Sequence, residues 1–248
     1  MELGLFVRII GCYEYICENI DTGVASRLKK NDDRCAINVK KFSGLLLTAN
    51  EGASRIICVD SDTIAISQPD CLMDACENNS LKRVFLGSIP KPSSTIYFKL
   101  LCEIQIASCL LVSTKFNYYT DDAPGVYSWF FDVPYYPGDL LREFFVNMTS
   151  GDGALSHFFM SLSWFTFDHL IFQHWMVATG RAKFIDYGQT CEALPEWLTP
   201  SDLVLLKEKY DYVPAWIPLS AYRSDPLTVN KLQGEVILAY HTDRAPPV

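Results

Sequence analysis

No C-x-x-C pair occurs in this chain, and its four histidines (His157, His169, His174 and His241) are not spaced as zinc ligands are. That removes the common zinc modules. Basic charge is also short, with 21 Lys and Arg against 29 Asp and Glu, a net charge of −8 and a pI near 5.0. A nucleic-acid footprint or a basic membrane patch needs the opposite balance. Solubility accounts for the acidity more simply than an acidic docking surface does. No long apolar run is free of charge: 96–111 contains Lys99 and Glu103, and 154–177 contains Asp168 and His169, which fits core helices better than membrane spans. The N-terminus starts Met-Glu and its apolar run breaks at Arg8, unlike a secretory signal. Internal repeats and low-complexity segments are absent.

What is present is core material. Hydrophobic residues make up 49% of the 248 residues and charged residues 20%, enough for one large domain or two lobes without long disorder. Nine cysteines, an odd number, sit mostly beside apolar residues as small buried hydrophobes do. They read as reduced thiols of a cytosolic or nuclear protein, which makes the sequons at Asn78 and Asn147 accidental.

The pattern along the chain changes twice. Residues 1–43 hold "LFVRIIGCYEYI" and the polar run "RLKKNDDR", an extension that packs on its neighbours. From 44, "GLLLTA", the turn "NEGAS" and "RIICVD" predict a β-hairpin, with further strands at "DTIAIS" and "RVFLGSI". Apolar residues at 96, 100, 101, 104, 107, 110 and 111 recur at helical spacing. "FNYY" and "GVYSWFFDV" read as strands. After "PYYPG" the chain turns helical, with a helix from Asp139 and another over "ALSHFFMSLSWFTF". "HWMVA" and "RAKFID" around "TG" predict a hairpin. "SDLVLLKEKY" and "VNKLQGEVILAYH" read as the last helices. The fold class is α+β: a β-rich part with one helix over 44–133, then a mainly helical part over 134–248.

That order of elements is the plan of the bilobal protein kinases, and one spacing sharpens it. Kinases place a catalytic aspartate, a metal-holding amide five residues later and a second aspartate thirteen residues beyond. Asp168, Gln173 and Asp186 stand at those intervals. "FIDYGQT" resembles the "LIDLGQS" of the Bub-type spindle-checkpoint kinases and pseudokinases, "PKPSSTIYF" their "QKPANPWEFY", "NEGASRI" their "GEGAFAQV", and "PYYPGDLLREFF" their "YSYGTLLNAI". The resemblance covers roughly 44–190, and kinetochore pseudokinases of the kinetoplastid type are the nearest class within it. It implies a kinase-like N-lobe over 44–133 and a C-lobe over 134–248. After 190 that C-lobe is reduced, or the sequence is a trimmed piece of it.

The same resemblance implies a degraded site. The glycine loop keeps only Gly52 and puts Glu51 where phosphates would lie. The lysine position falls at Leu86, Gly87 and Ser88, unless Lys82 or Lys91 serves from the strand ends. The partner glutamate aligns with Tyr97, with Glu103 on another helical face. The catalytic-loop lysine is Leu170 and the proline Ile171, and His169 offers at most a packed imidazole. Asp168, Gln173 and Asp186 are then relic positions, the two aspartates bracing turns rather than holding Mg²⁺. Tyr187 packs between lobes, and Trp129, Phe130 and Phe131 belong to a core. The expectation is a catalytically inactive pseudokinase, without ATP, metal or other cofactor. It scaffolds kinetochore or checkpoint proteins in chromosome segregation during mitosis, in the nucleus at the kinetochore or otherwise in the cytoplasm. It contacts neither nucleic acid nor membrane. Two alternatives stand beside it. One is a divergent active ATP-dependent phosphotransferase with Asp168 as base and Asp186 on the metal. The other is a non-kinase, cysteine-rich α+β binding protein whose spacings match by chance.

Overall fold

Short polar residues decide where the first helices stop and start. In the computed structural model, which describes residues 10–58, 63–65, 74, 76–77, 84–87, 96–117, 135–186, 199–210, 216–218, 223–232 and 238–240, helix α1 (Cys12–Asn19) ends just before Asp21. The Asp21 carboxylate accepts from the backbone N–H of Gly23 and Val24 at 2.7 and 3.2 Å, capping α2 (Thr22–Lys30). Asn31 ends α2 in the left-handed conformation at φ 53°, a position asparagine tolerates. A 3₁₀ turn (Asp32–Arg34) leads into α3 (Ala36–Asn50).

Helix α3 replaces the strand expected over 44–49. An apolar run of that length suits either period by itself. Upstream, Val39 and Phe42 extend the helical spacing through Leu45, Leu46 and Ala49, and all five are buried. The boundary expected between residues 43 and 44 falls inside this helix. The "NEGAS" turn is then the helix end. Gly52 N donates to Ala49 O at 3.1 Å and Ala53 N to Thr48 O at 3.0 Å, a Schellman motif with Gly52 at φ 81°.

Strand β1 (Arg55–Ile57) follows, then β2 (Thr63–Ala65), β3 (Val84–Gly87) and the 21-residue helix α4 (Ile96–Phe116). The strands "FNYY" and "GVYSWFFDV" lie outside the described residues, apart from Phe116, which is helical, and Asn117. β4 (Tyr135–Pro137) leads directly into α5 (Gly138–Met148). Gly138 is dictated by space: a Cβ there would sit 1.8 Å from Ala53 O, while its N–H donates to Ser54 O at 2.8 Å.

α6 (Ala154–Met160) stops earlier than the apolar pattern suggests. The buried Arg27 of α2 donates to Met160 O at 2.9 Å and to Asp33 at 3.0 Å, so a guanidinium satisfies the carbonyl end of α6. α7 (Asp168–Ala178) takes in "HWMVA", which was expected as a strand. Asp168 through Met176 are all buried, so α7 is a core helix enclosed on every side. β5 (Lys183–Asp186), α8 (Pro200–Tyr210), β6 (Trp216–Pro218), α9 (Pro226–Lys231) and β7 (Leu238–Tyr240) complete the order. The helix expected over 229–241 therefore ends early, and its last part is strand.

The molecule is α+β, and its strand partners are long-range. β1 pairs antiparallel with β4, Ile56 opposite Tyr136. β3 pairs parallel with β5, Leu86 opposite Ile185 and Gly87 opposite Asp186. The third sheet has the order β2-β7-β6. Among the described residues, each of these three sheets joins a strand before residue 134 to one after it. The hairpins expected at 44–60 and 174–186 are absent, because "GLLLTA" and "HWMVA" are both helical. One aromatic core links the two halves. Phe42 of α3 packs on Phe158 of α6 at 5.1 Å, and Phe144 of α5 on Phe172 and Trp175 of α7 at 5.6 Å each. α4 lies along α7.

Candidate functional site

The turn before α7 is pinned from three elements. Within it, Ser163 N donates to Thr166 Oγ1 at 2.7 Å and Thr166 Oγ1 donates back to Ser163 O at 3.0 Å. From α3, Asn38 donates to Ser163 O at 2.7 Å, and from the 3₁₀ turn Asp33 O accepts from Trp164 N at 3.0 Å. From α4, Ser108 Oγ accepts from Phe167 N at 3.2 Å. Asp168 then opens α7, where a carboxylate is favoured by the free N–H groups and the positive end of the helix dipole.

Its carboxylate is fully buried. Tyr136 of β4 donates its phenol O–H to Oδ2 at 2.5 Å, while Lys41 Nζ of α3 stands 3.8 Å from Oδ1 and His169 Nδ1 3.7 Å from the same oxygen. Burial alone would raise the Asp168 pKa. His169, Lys41 and Tyr136 together outweigh it and hold the carboxyl well below the usual carboxylate range. Burial, and then the Asp168 charge, pushes the Tyr136 phenol well above its ordinary value, so it remains a donor. The Tyr136 ring is fixed edge-on to Phe172 at 5.1 Å. A carboxylate this acidic and without solvent access is a poor general base, since such a base must reach a substrate hydroxyl. The arrangement can hold β4, α3 and α7 together.

Gln173 does not join it. It is buried on the same helix, but five residues along an α-helix is about 140° around the axis from Asp168. The two side chains leave α7 in different directions and do not share one ion. A kinase-like site has its aspartate and amide on an irregular loop, and here both stand on regular helix. Asp186 closes β5 opposite Gly87 of β3, and its side chain, like those of Leu86 and Tyr97, lies outside what the structure describes. Ser88, Lys82, Lys91, Tyr187 and the cluster Trp129, Phe130 and Phe131 lie outside them as well. Glu51 and Gly52 belong to the end of α3, where Glu51 is exposed and Gly52 serves the cap rather than a phosphate. Leu170 and Ile171 are core residues of α7.

A second buried polar contact joins α7 to α4. His174 Nε2 lies 3.1 Å from Gln105 Oε1, both residues being 1% exposed. Burial lowers the His174 pKa to about 4, so the ring is neutral near pH 7 and donates Nε2–H to the amide oxygen. The residues that sequence reasoning missed are Tyr136, Lys41, Ser108 and Asn38. Nothing in the local pattern around "PYYPG" or "NVKK" marks them, because their partners are distant in the chain.

Among the described residues no group of three or more His, Cys, Asp and Glu could hold a metal ion, and no helix is long and apolar enough to cross a membrane. Cys12, Cys17, Cys35, Cys58, Cys76 and Cys109 are in no disulfide. The chain matches no protein-family model, no curated protein and no solved structure.

Proposed function

We propose that the chain is a non-catalytic protein-interaction module. One observation carries this reading: the aspartate at the catalytic spacing is fully buried at the start of a core helix, held by Tyr136 and Lys41. Its role is to fix the junction of three elements. Titration with Mg·ATP in a calorimeter should give no binding heat, and a phosphotransfer assay should give the same null rate for wild type and Asp186→Ala. Phosphotransfer that vanishes in Asp186→Ala would overturn the proposal in favour of a phosphotransferase, whereas micromolar nucleotide binding would remove only the absence of ATP from it.

A kinetochore pseudokinase of the Bub type is the finer form of this proposal, and it rests on the motifs between 44 and 190. The bilobal plan belongs to that finer form. Strand pairing across residue 134 and the helical state of 168–178 weigh against it. A fluorescently tagged chain that fails to concentrate at kinetochores in dividing cells would leave the interaction module standing and remove its mitotic setting.

A further inference from the structure

Charge is unevenly placed in this acidic chain. Between residues 27 and 41, Arg27, Lys29, Lys30, Arg34, Lys40 and Lys41 face only Asp32 and Asp33, six basic groups against two acidic ones, while the whole chain carries −8. Arg27 and Lys41 are committed internally, to Asp33 with the α6 carbonyls and to Asp168. Lys29 and Lys40 are exposed, and both line one open groove of about 350 Å³ between α1, α2 and α3. Its less exposed lining is apolar: Cys12, Leu28 and Ala36.

Helix stability explains only part of this. Lys29 sits in the last turn of α2, where a cation suits the dipole. Lys40 sits in the second turn of α3, near the positive end, where a cation gains nothing from its own helix. Lys29 Nζ stands 5.9 Å from the centroid of the Tyr13 ring, which holds it at the groove edge. Glu14, the acidic lining residue, lies against Gly11 at the start of α1. Among the described residues neither lysine is within ion-pair distance of a carboxylate.

We infer that this groove binds an acidic peptide segment of a partner protein, one apolar side chain resting on Cys12, Leu28 and Ala36 while flanking carboxylates meet Lys29 and Lys40. Two lysines around an apolar floor suit a short acidic-hydrophobic motif. A nucleic acid would need a wider basic surface, and a bound phosphate would favour the forked geometry of arginine. This inference rests on the reading of the chain as an interaction module and names where its partner docks.

The test is selection from a display library of short random peptides on the wild-type chain and on K29E/K40E. Peptides with Asp or Glu around one large apolar residue should be enriched on wild type. The best of these, made synthetically, should bind about tenfold more weakly to K29E/K40E and more weakly in high salt. K29Q/K40Q, with unchanged circular dichroism and Tm, should show an intermediate loss, and Lys30→Glu, off the groove, little change. Enrichment of basic or uncharged peptides, no enrichment, or equal affinity in K29E/K40E overturns the inference. So does binding of phosphatidylserine vesicles or duplex DNA that exceeds the peptide and is lost in the same variant. A phosphotransfer assay on the same preparation separates the two readings. Activity there that is lost in Asp186→Ala would remove the non-catalytic reading, whereas loss of the peptide result would remove only the groove.

Discussion

Tyr136 and Asp168 show how one buried charge is tolerated. The phenol donates to one carboxylate oxygen, and the ammonium of Lys41 approaches the other. Truncation to Tyr136→Phe leaves that oxygen without its donor, so we expect a loss of about 2 kcal/mol, measured by denaturant unfolding. pH should act through two groups in two windows. His174 has a folded pKa lowered to about 4 against about 6.5 when unfolded. The unfolded chain therefore takes up a proton first, and stability falls as pH drops from about 6.5 toward about 4, by at most about 3 kcal/mol. Asp168 is also depressed, so its contribution is present above the unfolded carboxylate pKa of about 4 and is lost at lower pH still. His174→Gln should weaken the upper window, visible as a Tm that falls less between about pH 6.5 and about pH 4 than in wild type.

At the level of elements, two glycines do different work, and substitution separates them. Gly52 ends α3 at φ 81° with open space where a Cβ would be, so Gly52→Ala costs only backbone strain, about 1 kcal/mol. Gly138 lets the start of α5 touch the Ala53 carbonyl, and Gly138→Ala must push β1 away from β4. We expect the second variant to lower Tm well beyond the first. Equal effects would mean that the β1–β4 contact contributes nothing. Helices α4 and α8 and strands β1, β2 and β3 were legible locally, since periodicity and turn residues agree there. "HWMVA" was not, because a short apolar run carries no period of its own, and burial against Phe144 and α4 sets it helical.

For the whole molecule, the decisive contact is between halves. Phe42 meets Phe144 and Phe158, so the N-terminal helices share a core with α5, α6 and α7. Phe42→Ala should destabilise by about 3–5 kcal/mol. Near- and far-ultraviolet circular dichroism should still report one common transition. Two separate transitions, with the second unaffected by the substitution, would mean that residues 12–50 form an appendage instead.

By itself the sequence determined the α+β class, the long helix after 95 and an apolar content sufficient for a large core. These follow from local spacing and composition, which act over a few residues. Tertiary structure alone decided that 44–49 is helical, that each sheet among the described residues joins strands across residue 134, and that Asp168 is buried against a tyrosine and a lysine. Those outcomes depend on which distant surfaces exclude water from one another. Tyr136 lies 32 residues from the carboxylate it serves, and spacing along the chain carries no record of that meeting.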